Sequence, residues 1–418
     1  MFVREEAYRI LYKFSLQKDI NLKEELDRVL PLWKKREDRA LITHIVYGVV
    51  RYLLKIEWII RRLTPGKRIS KKVRVLLWIG IYSFLEFERI PHYATVSELV
   101  EIAKHVERGG AYRFVNAILR KYLRERESIS IPSDPSVRYS FSSWFVDRWK
   151  KRLPNEYIDF LSANNKIPPE SIRVNTLKIS PSKLVKLLYE EGVEKIEEGR
   201  WEDALRIYGY PYIQDIPSYK KGYFTVQDEG AMWVSRFLYP LPGETVMDLC
   251  SYPGGKAFHI ATIMKNQGRV YTVDIKDKET IEEGARRLGI SIIEPLRFDL
   301  REKREEFYRK ADRVLIDAPC TSLGTIRRRP ELKWKKSPKD IKRLSSLQLT
   351  LLENASLYVK PNGILVYSVC TLEREETDDV IEGFLKKNKK YRLLEKLSLY
   401  PHRFDTDGFF MAKLKRDV

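Results

Sequence analysis

Residues 244–418 alternate short apolar runs with stretches of helical period, and this alternation restricts the fold more than any other feature of the chain. Thr245–Leu249, Arg269–Asp274, Arg313–Asp317 and Ile364–Val369 read as buried strands. Between them lie helical stretches, one starting near residue 255. Another opens at Ser337-Pro338 and carries Leu344, Leu347, Leu351, Leu352 and Ala355 on one face. A serine cap followed by proline at the first helical position is a helix start. The alternation predicts a mostly parallel, doubly wound sheet over 241–418. Such sheets bind ligands beyond the carboxyl ends of their strands.

The rest of the chain has different periods, so the protein is expected to be multidomain. Residues 1–125 repeat apolar side chains every three or four positions, as in Leu41, Ile45, Val46, Val49 and Leu53, with breakers at Pro65-Gly66 and Pro91. That pattern predicts an all-α bundle of about six helices. Residues 126–140 (RESISIPSDPSVRYS) are rich in Ser and Pro and read as a linker. Residues 141–240 mix a strand at Ser171–Asn175, a helix at Ser182–Tyr189 and a strand at Tyr223–Val226, which predicts a small α+β, RRM-like module.

Lys and Arg exceed Asp and Glu by 20. The first 150 residues supply 30 basic against 18 acidic side chains, so 12 of that excess. Lys55, Arg61, Arg62, Lys67, Arg68, Lys71, Lys72 and Arg74 face only Glu57, and a second cluster runs from Arg327 to Arg343. An anionic partner follows, with nucleic acid first; a solvated helix face is the plainer meaning of either run. Three cysteines in 418 residues exclude a disulfide scaffold and fit a reducing compartment. No apolar run reaches the ~18 residues of a membrane helix, and the charged start MFVREEAYRI is not a secretory signal. A cytoplasmic protein without membrane contact, acting as a monomer, is expected.

All three cysteines fall at carboxyl ends of predicted strands: Cys250 in Asp248-Leu-Cys-Ser-Tyr-Pro-Gly-Gly-Lys256, Cys320 in Asp317-Ala-Pro-Cys, and Cys370 in Tyr367-Ser-Val-Cys-Thr371. One buried cysteine is usually inert filler; three at one sheet edge point to function. Gly255-Lys256 is not a P-loop, since that motif's first Gly would fall on Cys250 and its Ser/Thr on Ala257. A zinc deaminase would need Cys at 323, which is Leu, and no metal-ligand spacing occurs, so no metal is expected. What remains is a nucleoside with an amino-acid tail. A Gly loop before a helix offers backbone N–H groups to a carboxylate, Asp274 can accept the ribose hydroxyls, and Asp299 can hold the adenine amine. In that order the features spell an S-adenosylmethionine site formed by Cys250, Ser251, Tyr252, Pro253, Gly254, Gly255, Lys256, Asp274, Asp299 and Asp317.

These motifs, together with Gly324-Thr-Ile-Arg-Arg-Arg-Pro-Glu-Leu-Lys-Trp334 and Thr406-Asp-Gly-Phe-Phe410, resemble those of the Sun/Fmu RNA cytosine-5 methyltransferases. Arg39-Ala-Leu-Ile, Tyr47-Gly-Val-Val-Arg51, Ile90-Pro-His-Tyr-Ala-Thr-Val-Ser-Glu98 and Phe114-Val-Asn-Ala-Ile-Leu-Arg120 are similar to the NusB-like domain fused to bacterial members. The resemblance implies a Rossmann-like S-adenosylmethionine-dependent methyltransferase domain and methylation of 16S ribosomal RNA at cytosine C5. Two departures stand out: Ser251-Tyr252 replaces the family's Ala-Ala or Ala-Ser, and Glu375-Glu-Thr-Asp378 replaces Glu-Glu-Asn-Glu, a position given no chemistry.

C5 of cytosine is a poor nucleophile until a thiolate adds at C6. Analogy with DNA cytosine methyltransferases makes Cys320, in its Pro-Cys pair, the nucleophile. The resemblance instead implies Cys370, with Cys320 aiding proton removal or release. Asp317 either bonds the N3–N4 edge of the base or caps its loop. Lys256 either steadies Asp317 or the cofactor, or is solvated. A non-catalytic, antitermination-like RNA-binding protein and methylation of another RNA are the competing functions.

Overall fold

The computed structural model describes residues 2–17 and 20–418. Two compact units emerge: Met1–Lys166 with Ile326–Lys335, and Ile167–Thr325 with Lys336–Val418. In chain order the first holds α1 (Val3–Leu16), α2 (Leu22–Val29), α3 (Arg36–Arg51), α4 (Leu53–Leu63), α5 (Lys71–Glu86), α6 (His92–Val106), α7 (Ala111–Glu125), α8 (Pro135–Tyr139), α9 (Ser143–Arg152) and α10 (Tyr157–Ala163). Among the described residues no helix is long and apolar enough to cross a membrane.

The helical unit differs from the sequence expectation in three ways. The described residues of 1–125 form seven α-helices, against about six expected. The expected linker at 126–140 is not a tether: α8 lies within it, and the Ser140 hydroxyl accepts from the Leu54 and Lys55 amides at 2.7 and 3.2 Å, capping the start of α4. Residues 141–166, expected to open the α+β module, are mostly helical, with Phe141, Phe145, Trp149 and Phe160 in a chain of ring contacts. Close crossing of α3 and α5 requires Gly48, where an added Cβ would fall 1.9 Å from the Tyr82 ring.

The second unit begins with β1 (Glu170–Val174), α11 (Pro181–Glu190), β2 (Lys195–Glu198), β3 (Ala204–Tyr208), α12 (Pro217–Lys220) and β4 (Phe224–Val226), an antiparallel sheet ordered β2-β3-β1-β4. One face packs on α11 through Ile172, Val174, Leu205 and Ile207. The other is not open, as a single-strand-reading face would be. Its Arg173 is 2% exposed and donates to the Gly255 carbonyl at 3.0 Å, and its Arg206 pairs with Glu229 at 2.5 Å.

Next come α13 (Glu229–Leu238), β5 (Thr245–Leu249), α14 (Gly255–Ile263), β6 (Arg269–Asp274), α15 (Glu279–Leu288), β7 (Ile293–Arg297), β8 (Ala311–Asp317), α16 (Leu332–Lys335), α17 (Pro338–Ser356), β9 (Val359–Val369), α18 (Asp378–Lys387), β10 (Tyr391–Leu399), α19 (Pro401–Phe404) and β11 (Phe409–Arg416). α13 lies before the expected boundary at 240, yet Val234, Phe237 and Leu238 share the core of the large sheet. Its seven strands run β10-β11-β9-β8-β5-β6-β7; β5 to β9 are parallel, and β11 and β10 add antiparallel at one edge. Helices cover both faces, as the alternation predicted.

α16 alone leaves this domain. Residues 326–335 belong to the helical unit, where Arg327 and Lys333 are 2% and 5% exposed. Lys333 Nζ donates to the Arg51 and Ser140 carbonyls and Asn165 Oδ1 at 3.0, 3.3 and 2.5 Å, and Trp334 Nε1 donates to the Val50 carbonyl at 2.8 Å. The expected second basic cluster is therefore not one phosphate-facing run. Its first half is internal structure, and Trp334 is a packing residue; Lys339, Lys342 and Arg343, on α17, are exposed. In the first cluster Arg61, Arg62, Lys67, Arg68 and Lys71 are exposed, while Arg74 pairs with Glu57 at 2.7 Å.

Lys333→Ala strands three acceptors and is expected to destabilise the helical unit by about 2–4 kcal/mol. Lys339→Ala should change stability by less than about 0.5 kcal/mol. Denaturant midpoints test this, and equal midpoints would make Lys333 a surface lysine.

Candidate active site

β8, β5 and β9 end at the same edge, so their following loops are neighbours. Cys250 directly follows β5 with a positive φ of 60°, Cys320 lies in the loop after β8, and Cys370 directly follows β9. Cross-strand register pairs Asp317 with Ser368. Two thiols thereby meet: Cys320 Sγ and Cys370 Sγ are 3.4 Å apart, and the Ser322 hydroxyl lies 3.4 Å from Cys370 and 3.9 Å from Cys320.

Asp317 is the joint of the site. Its Oδ1 accepts from the Ser368 hydroxyl at 2.8 Å and its Oδ2 from Lys256 Nζ at 2.6 Å. Lys256 comes from the first turn of α14 and loses some hold on its proton through burial; Asp317 more than restores it, and the net shift is upward. The two cysteines are driven apart. A hydrogen bond from Cys320 lowers Cys370 against burial and the Asp317 charge, with Ser322 and Lys256 adding to the effect. The same bond, then burial, raises Cys320 well above the ordinary thiol. Burial, and then the charges of Asp274, Asp317, Asp248 and Asp299, raise Cys250 too. Of the two, Cys370 is the thiol more disposed to ionise and Cys320 the one more disposed to keep its proton.

Gly324 ties a distant motif to this edge. Its N–H donates to the Cys370 carbonyl at 3.0 Å and its carbonyl accepts from Gly408 N–H at 2.7 Å. A Cβ there would fall 2.0 Å from the Gly408 oxygen, so only glycine fits. Thr406–Phe410 thus acts by packing behind Cys370.

The loop after β5 is shaped for a ligand. Gly254, at φ 100°, caps α14, and a Cβ on Gly255 would meet nothing closer than 4.0 Å, leaving open space above the helix start. Asp274 Oδ2 accepts from the Tyr252 amide and Oδ1 from the Lys276 amide, both at 3.0 Å, and Lys276 Nζ sits 4.1 Å from the Tyr252 ring centre. Asp248 is wholly buried with neither oxygen in a full hydrogen bond, and the buried Ser251 hydroxyl is likewise without a partner. Burial and the Asp317 charge push Asp248 up to about 8, against Lys256 and the Ala257 amide. Four carboxylates around one loop, with an unsatisfied buried acid, suit a cationic ligand such as a sulfonium with an ammonium tail. Asp299, the expected adenine contact, is already engaged: Arg301 bonds both its oxygens, at 3.1 and 2.5 Å, and holds it below the usual carboxylate range.

Sequence reasoning missed Ser368, Ser322, Gln348 and Glu376. Ser368 lies inside the Ser-Val-Cys-Thr motif. Glu376 lies in the segment given no chemistry, yet it is fully buried and accepts from the Thr321 amide at 2.8 Å.

Comparison with known proteins agrees along the whole chain. A family profile described as 16S rRNA methyltransferase RsmB/F matches residues 235–415, the NusB family matches 1–124, and an RsmF/B-like ferredoxin-like domain matches 141–213. The "Probable ribosomal RNA small subunit methyltransferase B" of Bacillus subtilis is 34% identical over 407 residues, covering 91% of each chain. Ribosomal RNA small subunit methyltransferase B of Klebsiella pneumoniae is 32% identical over 426 residues, covering 97% of each. Among solved structures, PH0851 superposes with a TM-score of 0.84 at 28% identity over 99% of both chains. A methyltransferase homologue from Pyrococcus horikoshii gives 0.59 at 32% identity, over 68% of this chain and 98% of its own.

The unequal thiols have a direct readout. Iodoacetamide at neutral pH should label Cys370 before Cys320 and Cys250, scored by peptide mass spectrometry, because only the thiolate reacts. Lys256→Met should slow that labelling. Preferential labelling of Cys320 would reverse the assignment.

Proposed function

The chain belongs to the RsmB/F family of 16S rRNA methyltransferases, and from that premise we propose that it methylates C5 of one cytosine in 16S ribosomal RNA through a covalent adduct between Cys370 and C6. The carrying observation is the unequal pair of thiols 3.4 Å apart, one favoured as thiolate and the other as thiol. A single nucleophile would need one activated cysteine; a reaction that must also remove a proton afterwards has use for two.

In this reading the loop Cys250–Lys256, Asp274 and Asp248 hold S-adenosylmethionine. When bound, the cofactor supplies an electrophilic methyl group. Asp274, fixed by two backbone amides, accepts the ribose hydroxyls. The buried acid Asp248 and the open space at Gly255 fit the amino-acid tail. Asp299 reaches the adenine amine only if Arg301 releases it.

The target cytosine enters where the loops after β8 and β9 meet, out of its stack. Asp317 accepts from its exocyclic amine while Lys256 and Ser368 keep the carboxylate oriented. The Cys370 thiolate adds to C6, and C5 becomes the nucleophile. Once Cys370 is a thioether it no longer accepts the Cys320 hydrogen bond, and the largest influence that raised Cys320 lapses. Cys320, after releasing its proton to solvent, takes the proton that methylated C5 still carries. The electrons of that C–H bond form the C5–C6 double bond, and the C6–S bond breaks to return the Cys370 thiolate. Exposed lysines and arginines of the helical unit and α17 supply phosphate contacts, so RNA binding falls as salt rises.

Two experiments test this. Asp274→Ala should weaken cofactor binding by about 1.5–3 kcal/mol in calorimetry and leave RNA affinity unchanged; an unaltered cofactor dissociation constant removes Asp274 from the site. With RNA and cofactor present, Cys320→Ala should accumulate a covalent RNA adduct on a denaturing gel, and Cys370→Ala should give neither adduct nor methyl transfer. The opposite pattern exchanges the two roles.

A further inference from the structure

Glu376 carries a carboxylate into the interior with no exposure, which is expensive unless every contact is specific. Simple packing would be served better by an apolar side chain. Its partners show what it is for. Oε1 accepts from the Thr321 amide at 2.8 Å and from Gln348 Nε2 at 2.9 Å, and Oε2 accepts from the Thr321 hydroxyl. Gln348 Nε2 also donates to the Pro319 carbonyl at 3.0 Å. Pro319 and Thr321 are the residues on either side of Cys320. The Thr321 hydroxyl lies 3.2 Å from that of Thr371, and Thr371 directly follows Cys370. Its hydroxyl also accepts from the Glu373 amide, at 3.4 Å.

The bonds therefore run from one buried carboxylate to the backbone on both sides of one cysteine, and across a threonine pair to the other. Cys320 lies outside regular structure, three residues past the end of β8, so the sheet register brings its loop beside Cys370 but no ladder bond holds Cys320 itself. We propose that Glu376 is a positioning residue that, with Thr321 and Gln348, clamps the Cys320 loop at the spacing from Cys370 that proton removal and adduct release require. This rests on the covalent-adduct reading, but the spacing itself is measurable without RNA or cofactor.

The test uses the full chain and the oxidant diamide. Each disulfide formed between Cys320 and Cys370 gives two protons and two electrons to the azo bond of the reagent, leaving a hydrazine, and the protein loses two hydrogen atoms. Intact-mass and peptide analysis follow the rate. Glu376→Ala and Thr321→Val should each slow formation of that disulfide about tenfold, since small displacements of reacting groups carry penalties of this order. Thr321→Ser, which keeps the hydroxyl, should react like the wild type. Wild-type rates in both Glu376→Ala and Thr321→Val would overturn the proposal. If Glu376→Ala fails to fold, the Thr321→Val and Thr321→Ser pair decides alone.

A second readout separates this idea from the reading beneath it. With RNA and cofactor, Glu376→Ala and Thr321→Val should trap adduct as Cys320→Ala does, with cofactor affinity unchanged. Slowed oxidation with no adduct in any variant, Cys320→Ala included, would retain the clamp and reject the covalent mechanism. Adduct trapping by Cys320→Ala alone, with wild-type oxidation rates in the clamp variants, would do the reverse.

Discussion

The pairing of β8 with β9 is the constraint on which the site depends. Its register sets Asp317 opposite Ser368, and the Ser368 hydroxyl bonds the carboxylate across the pair. Side chains alternate faces along a strand, so a slip of one residue would turn Asp317 away from Lys256. The loops after these strands bring Cys320 to Cys370 only in this register. The antiparallel β11 against β9 then seats Gly408 behind Gly324, which locks the second loop from the rear.

Electrostatics follow from that geometry. Asp248, Asp274, Asp299 and Asp317 gather around the loop after β5, and Lys256 is the cation within it. The balance favours a positively charged ligand and leaves one buried acid, Asp248, reluctant to ionise. The same lysine lies close enough to Cys370 to favour its thiolate. A single side chain thus bonds Asp317 from the helix after β5 and also favours the Cys370 thiolate, a link between two motifs that neither reveals alone.

Features encoded locally were legible in the sequence. The strands Thr245–Leu249 and Arg269–Asp274 have the expected bounds, the Ser337-Pro338 start of α17 is capped by Asp340, and the three cysteines do lie at strand ends. Features that depend on partners far along the chain were not. Lys333 read as part of a basic run because its acceptors on Arg51, Ser140 and Asn165 all lie far back along the chain. The small α+β module was recognisable, but the covering of its second sheet face, through Arg173 and Arg206, depends on α13 and α14 arriving later. Glu376 has no local signature: a glutamate in an acidic stretch reads as surface until Thr321 and Gln348 are seen around it.

The central claim is that a methyl group is delivered to C5 of cytosine. Incubating purified chain with unmodified 16S ribosomal RNA and S-adenosylmethionine labelled in its methyl group, followed by bisulfite sequencing, tests it most directly. The account expects one cytosine to resist conversion in step with label incorporation, and to convert fully when Cys370→Ala replaces the wild type. Incorporated label with every cytosine still converted would place the methyl group elsewhere and contradict the account.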